Sequence, residues 1–472
     1  MMRISRAAEA IGATYTGRDA EFTAVNTDSR AIKAGDLFVA LKGERFDGHA
    51  FVAQAAVAGA VAAIVETEGL KTEDPALSGK ITLVFVDDTL KALGRLAAYW
   101  RRQFDIPVVA LTGSNGKTTV KEMLASILRE AVAVESRAPR AESSVLATRG
   151  NLNNHIGVPL TLLELRREHR YAVIEMGMNH AGEISYITHL AEPDVALITN
   201  AGVAHIENLG SADAIAEAKG EIFAGLKTNG TAVINADDSY APRWRELAAG
   251  RRQLDFALDK EAAVTASYRV RELDSEIVLN TPLGSARATV PAPGLHNVRN
   301  ALAASAAATA LAVSTATVAA GLARFGGVKG RLQRKHGVNG STLIDDTYNA
   351  NPDSLRAAIA VLVEARGTQL LVLGDMGELG GFAAAAHAEA GTHARDAGVS
   401  RLLTLGEFSA HASAAFGAGA RHFTRIEDLL AEIGSVLAPD VTMLVKGSRF
   451  MQMERVVKAF ESARGPGGAG TN

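Results

Sequence analysis

Residues 107–128 read PVVALTGSNGKTTVKEMLASIL. An uncharged, β-favouring run ends at Thr112, and a loop with two glycines follows. From about Thr118 the apolar residues Val120, Met123, Leu124, Ile127 and Leu128 recur at helical spacing. A buried strand that turns at once into an amphipathic helix has few homes. The helix must cross back over a sheet whose neighbouring strands run parallel. This one stretch therefore predicts an α/β fold with a mostly parallel sheet.

The same loop carries chemistry. Gly113 and Gly116 let the backbone curl and approach a ligand closely. Lys117 supplies a cation, Thr118 a hydroxyl suited to Mg²⁺, and the helix end a favourable field for an anion. Ser114, Asn115 and Thr119 complete the expected phosphate cradle. The usual phosphate-loop pattern has a further glycine five residues before Gly116, where this chain has Leu111. Losing that glycine removes one sharp backbone conformation but leaves the lysine, the hydroxyl and the helix end in place. By itself the loop says only that a nucleoside triphosphate binds.

The chain has 472 residues, enough for two to four domains. With 49 basic and 52 acidic residues the net charge is −3, without the basic excess usual in a nucleic-acid binder. There is no cysteine, so disulfides and thiolate metal sites are excluded. No signal-peptide pattern opens the chain and no apolar run has membrane-spanning length, so a cytoplasmic protein is expected.

Strand-like and helix-like patterns alternate along the whole length. DLFVAL (36–41), VAAIVE (61–66), YAVIEM (171–176), VALIT (195–199) and GTAVINA (230–236) read as strands, and 89–104 as a helix. RFGGVKGR (324–331) reads as a boundary, after which STLIDD, QLLVLGD, RLLTLGE and TMLVKG restart the alternation. The expected architecture is α/β in three domains. An N-terminal α/β module covers 1–86, a central P-loop-type mostly parallel sheet with helices covers 87–326, and a C-terminal Rossmann-like α/β domain covers 327–472. The tail SARGPGGAGTN reads as disordered.

Three further residues stand out. Glu175 closes a strand, at the edge where α/β sheets bind ligands. His205 follows another strand end. In SADAIAEAKGEIFAGL (211–226), Lys219 falls about 40° from Ile215 on a helical wheel, inside the apolar stripe. A lysine there must snorkel, lose its proton or find a partner. A neutral amine can also take up CO₂ as a carbamate, an anion able to hold a metal; snorkelling is the simpler outcome.

Taken together, these pieces resemble the Mur ligase family over nearly the whole chain. The resemblance is carried in order by NTDSRAIKAGDLFVALKGERFDGHAF, ALTGSNGKTTVKEM, NLNNHIGVPLTLL, IEMGMNHAGEI, TNAGVAHIENLGS, AKGEIF, GLHNVRNALAA, GRLQ, DDTYNANPDS, LGDMGELG and LVKGSRFMQME. In that family the missing first glycine is normal. The resemblance implies ATP-dependent ligation of D-alanyl-D-alanine to UDP-N-acetylmuramoyl-tripeptide through an acyl phosphate, the form of the family to which YNANPDSLRAAI is similar. It implies a monomer, with no nucleic-acid or membrane partner.

The resemblance also implies site roles. Lys117, Lys219 and His205 would be catalytic; Thr118, Glu175, His205 and a CO₂-derived carbamate on Lys219 would hold two Mg²⁺ ions. Asn297 and Asn300 would lie by the adenine of ATP, and Arg331 and Asp346 near its ribose and phosphates. The UDP-bearing substrate would meet Ser29, Arg30, Lys42, Gly43, Asn153 and Asn154. Tyr348, Asn349, Asn351, Ser448 and Arg449 would take the dipeptide. KGSRF (446–450) reads as a strand end that opens a helix, with Pro352 in the first turn of another helix capped by Asn351. The alternatives are a ligase adding diaminopimelate or lysine as third residue, a folylpolyglutamate synthase, and a P-loop ATPase switch. Against the last, no Walker B signature is found in the segment that carries the glycine loop.

Overall fold

The computed structural model describes residues 1–462 except 45, 70–76, 78, 138 and 203–208. The C-terminal tail and His205 therefore lie outside the described residues.

The sheet predicted from the glycine loop is present and wholly parallel. Its six strands lie in the order Arg252–Phe256, Thr231–Asn235, Val195–Ile198, Val108–Thr112, Tyr171–Glu175 and Val145–Ala147. From the central strand Val108–Thr112 the chain first winds toward one edge and then crosses to the other. A parallel sheet binds ligands beyond the carboxyl ends of its strands at such a reversal. Leu111 is fully buried there, opposite Glu175 on one neighbour and Leu197 on the other. The position of the missing glycine thus belongs to the strand, and an apolar side chain fills it.

A five-stranded sheet precedes the central one, in the order Thr14–Thr16, Thr82–Val86, Ala62–Glu66, Asp36–Val39 and Ala24–Asn26. Only Thr14–Thr16 runs antiparallel to its neighbour. The first two sheets share one apolar core. Ile4, Phe22, Val39 and Ile64 belong to the same cluster as Leu93, Leu96, Ala110, Ile174 and Trp244. The helix Thr89–Arg101, capped by Asp88 on the Lys91 amide, lies in that shared core.

On the other face of the central sheet, helix Lys117–Ser136 packs with helices Leu295–Ala310 and Thr315–Ala323. A three-stranded antiparallel sheet of Thr265–Val270, Ser275–Thr281 and Gly284–Val290 covers them. The strand reading above leaves this sheet out, although TPLG at 281–284 is a hairpin turn between two alternating runs.

The last sheet runs Gln333–His336, Thr342–Asp346, Val441–Lys446, Thr368–Gly374, Arg401–Leu405 and Ala420–Phe423, with only the first strand antiparallel. It has a core on each face, separate from the shared core of the first two sheets. Helix Pro352–Val363 begins with the expected Asn351 cap, and Ser354 returns the bond as a capping box. KGSRF differs from expectation. After Lys446 it forms a single 3₁₀ turn, Arg449–Met451, and the α-helix starts only at Glu454. Gln452 in the left-handed region breaks the path between them.

One close approach positions the loop helix. A Cβ on Gly321 would lie 2.4 Å from the Cα of Ile127, and Ser126 Oγ donates to the Gly321 carbonyl at 2.7 Å. Gly321→Ala should force the two helices apart and lower stability by about 1–3 kcal/mol, the usual range for overpacking. Urea unfolding checks this; an unchanged midpoint would show that the contact gives way freely.

Candidate active site

The glycine loop is held in shape by the segment after strand Val195–Ile198. Ser114 N donates to Asn200 O at 3.0 Å and Asn115 N to Asn200 Oδ1 at 2.9 Å. Thr199 Oγ1 donates to Asn115 O at 2.7 Å, while Ser114 Oγ accepts from Gly202 N at 2.8 Å. Two glycines make this possible. A Cβ on Gly113 would sit 1.8 Å from Thr199 Oγ1, and Gly116 has φ +82° with Asn300 Oδ1 against it. Helix Lys117–Ser136 starts directly after Gly116, and its first amides carry the positive end of the helix field.

Lys117 folds back over the loop and donates to Gly113 O at 2.5 Å. Burial lowers its pKa, while Glu175 opposes that shift. Thr118 and Thr119 are both buried. Thr118 Oγ1 donates to Glu175 Oε1 at 3.4 Å and accepts from Arg331 Nη2 at 3.0 Å. Glu175 is 2% exposed. Its Oε1 also accepts from Asn153 Nδ2 at 3.0 Å, and among the described residues its Oε2 has no hydrogen-bond partner. A buried carboxylate oxygen left unpaired beside a hydroxyl suits a divalent cation.

Lys219 is 1% exposed, so it does not snorkel. Its pKa falls well below the ordinary lysine value, first through burial and then through repulsion by Lys117. Among the described residues no carboxylate is paired with it, and no three His, Asp or Glu side chains form a ready-made metal centre. A neutral Lys219 amine is therefore the form that this environment favours.

The third sheet closes over the loop. Arg331 stacks on Tyr348, with its guanidinium carbon 4.3 Å from the ring centre, and burial raises the Tyr348 pKa. Asn351 Nδ2 donates to Asn115 Oδ1 at 2.9 Å while its Oδ1 caps helix Pro352–Val363, so both ends of this amide are in use. Asp346 forms a buried pair with Lys446 Nζ at 2.5 Å, and Lys446 also donates to Asn349 O at 3.0 Å. Asn297 and Asn300 are buried side by side, joined at 3.2 Å. Ser448 Oγ donates to Ala350 O and accepts from Gly377 N, whereas Arg449 is exposed and paired with Glu454 at 3.0 Å.

In the loops around the five-stranded sheet, Arg30 pairs with Asp28 at 2.8 Å, Ser29 lies between them in the chain, Lys42 is exposed, and Gly43 N donates to Phe46 O at 2.9 Å. Asn153, expected at the UDP-bearing substrate, touches Glu175, and Asn154 Oδ1 accepts from Gly157 N at 2.9 Å. Three polar residues here escaped the sequence reading: the buried Lys121 and Lys446, and the partly buried His296. For Lys121 a signal existed, since it lies about 20° from Leu128 on the wheel, within the apolar face.

Three family models match in sequence order: "Mur ligase family, catalytic domain" over 21–101, "Mur ligase middle domain" over 111–308, and "Mur ligase, glutamate ligase domain" over 330–449. The chain is 42% identical over 463 residues to UDP-N-acetylmuramoyl-tripeptide–D-alanyl-D-alanine ligase of Escherichia coli, covering 97% of this chain and 98% of that one. A crystal structure of MurF from Acinetobacter baumannii superposes with a TM-score of 0.87 at 38% identity, covering 96% and 97% of the two chains. MurF ligase from Thermotoga maritima in complex with ADP gives a TM-score of 0.78 at 26% identity, covering 92% and 96%.

His296 supplies a pH test. Burial lowers its pKa to about 4, with Lys446 and Arg299 adding to that shift and Asp346 opposing it. A folded-state value below the unfolded one means the unfolded chain binds the extra proton. The stability at stake is fully present above about pH 6.5 and is lost as pH falls through about 4. Melting temperature should therefore drop less between pH 7 and pH 4.5 in His296→Asn than in the parent chain; parallel curves would remove His296 as the cause.

Proposed function

The chain belongs to the Mur ligase family, and we propose that its site joins D-alanyl-D-alanine to UDP-N-acetylmuramoyl-tripeptide, splitting ATP to ADP and phosphate. The observation that carries this reading is the phosphate loop beside buried Glu175 and buried Lys219, within a chain matching the tripeptide–D-alanyl-D-alanine ligases end to end. That end-to-end match also favours it over a ligase adding the third residue, a folylpolyglutamate synthase or an ATPase switch.

A carboxylate is a poor electrophile, so it must be activated. The tripeptide carboxylate attacks the γ-phosphorus of ATP, ADP leaves, and an acyl phosphate forms. The dipeptide amine then attacks the acyl carbon, phosphate leaves from the tetrahedral intermediate, and the amine gives up its proton. The first step brings two anions together. Lys117 and the amides at the start of helix Lys117–Ser136 stabilise the transferring phosphoryl group, and Arg331 reaches the same place from the segment before strand Gln333–His336. No side-chain nucleophile is required. Positioning can supply about 7–11 kcal/mol of the barrier.

Thr118 and Glu175 suit Mg²⁺, and a carbamate on Lys219 and His205, which lies outside the described residues, are the further ligands of this reading; the ion when bound would offset the charge of the phosphates. The lowered pKa of Lys219 supports the carbamate, because only the neutral amine adds CO₂. In this reading Asn297 and Asn300 take the adenine, and Arg331 and Asp346 the ribose and phosphates. The unit 1–86 holds the UDP end, 87–326 the ATP, and 327–472 the dipeptide. Ser29, Arg30, Lys42 and Gly43 serve the first, with Asn153 and Asn154 beside them. Tyr348, Asn349, Asn351, Ser448 and Arg449 serve the last. The reaction belongs in the cytoplasm, where ATP and the UDP-linked precursor are found, and a monomer suffices. No helix among the described residues is long and apolar enough to cross a membrane.

Phosphate release from ATP and the tripeptide substrate should depend on D-alanyl-D-alanine; release indifferent to the dipeptide would sink the ligase reading. Lys219→Ala should lose most activity and regain part of it with a short carboxylate such as formate. Arg449→Ala should raise KM for the dipeptide while leaving KM for ATP unchanged, and an unchanged dipeptide KM would remove Arg449 from the site.

A further inference from the structure

Lys121 is a fully buried lysine with no place in the mechanism above. It is 1% exposed, although it sits in the second turn of a helix whose neighbouring Glu122 is partly open to solvent. Its Nζ donates to Thr148 O at 2.5 Å, and lies 3.1 Å from Glu122 Oε1 and 3.8 Å from Glu175 Oε2. Thr148 is also tied to Glu175, because its Oγ1 accepts from the Glu175 amide at 2.9 Å. Thus Lys121 and Thr148 together grip Glu175 from behind.

The two oxygens of Glu175 divide accordingly. Oε1 faces Thr118 and Asn153. Oε2 has no hydrogen bond, and Lys121 is the only cation paired with Glu175 among the described residues. At 3.8 Å Lys121 faces Oε2 without claiming it in a hydrogen bond, so Oε2 keeps its lone pairs. A closer ammonium would compete with a metal ion for that oxygen.

We infer that Lys121 is a positioning residue, holding Glu175 through Thr148 and turned toward Thr118 so that it can take a divalent cation with the nucleotide. This rests on the metal-binding role proposed for Glu175. Residues that orient a metal ligand from behind change metal affinity by about 10–100-fold when removed.

The test uses Mn²⁺ as the probe, followed by its electron paramagnetic resonance in the full-length protein with ADP present. Lys121→Met should weaken Mn²⁺ binding about tenfold or more. Raising Mg²⁺ should then restore much of its phosphate release, which a merely misfolded site would not allow. Glu122→Gln, removing the other carboxylate beside Lys121, should bind Mn²⁺ as the parent does. Melting curves show that each variant is folded, and Lys121→Arg serves as a second variant should Lys121→Met not fold, with binding expected between the two. Parent-like Mn²⁺ binding by folded Lys121→Met, while Glu175→Gln is weakened, would overturn this inference alone. Parent-like binding by Glu175→Gln would overturn the metal role of Glu175 and this inference with it.

Discussion

Everything at this site depends on the register of three parallel strands. Leu111 stands opposite both Glu175 and Leu197, so the strands that carry the glycine loop, the carboxylate and the segment 199–202 end together. Parallel pairing has a side-chain period of two, and a slip of one residue would turn Glu175 to the other face. The buried apolar residues on both faces of this sheet hold the register. The loop then needs only short hydrogen bonds to Thr199, Asn200 and Gly202 to keep its shape, and Thr118 falls beside Glu175 without any long side chain having to reach.

Buried charge in this molecule is arranged by distance more than by pairing. Among the described residues Lys219 is paired with no carboxylate, and burial and the Lys117 charge lower its pKa well below the ordinary lysine value. Lys446 is paired tightly with Asp346. Lys121 lies between these extents, facing Glu175 Oε2 at 3.8 Å without a hydrogen bond to it. Three lysines of one residue type thus have three different chemistries, decided by what lies within about 4 Å.

Much of this was legible in the sequence because the signals were local. The strand-loop-helix, the Asn351 cap and the misplaced Lys219 each follow from spacing alone. The reading of KGSRF as a helix start failed for a local reason too, since the left-handed Gln452 interrupts the path before Glu454. The three-stranded sheet at 265–290 was missed because it packs on helices instead of extending the main sheet, leaving it outside the α/β alternation. Lys446 and His296 were invisible for a different reason: their partners come from segments about 100 residues or more distant in the sequence or from another sheet, and no periodicity encodes such pairs. Lys121 did have a signal, identical in kind to that of Lys219, but the adjacent glycine motif drew attention away from it.

The shared core of the first two sheets has a geometric consequence. Apolar side chains from Ile4 to Trp244 interlock across that junction, whereas the third sheet keeps cores of its own and is joined through the glycine-rich 324–331. In the proposed reaction, the handle of the UDP-bearing substrate and the phosphate loop therefore belong to one stiff frame. The frame acts as a ruler: only a peptide stem of the right length lays its carboxylate at the γ-phosphate. The last sheet, built on cores of its own, meets that frame at the loop, through Asn351 on Asn115 and Arg331 on Thr118.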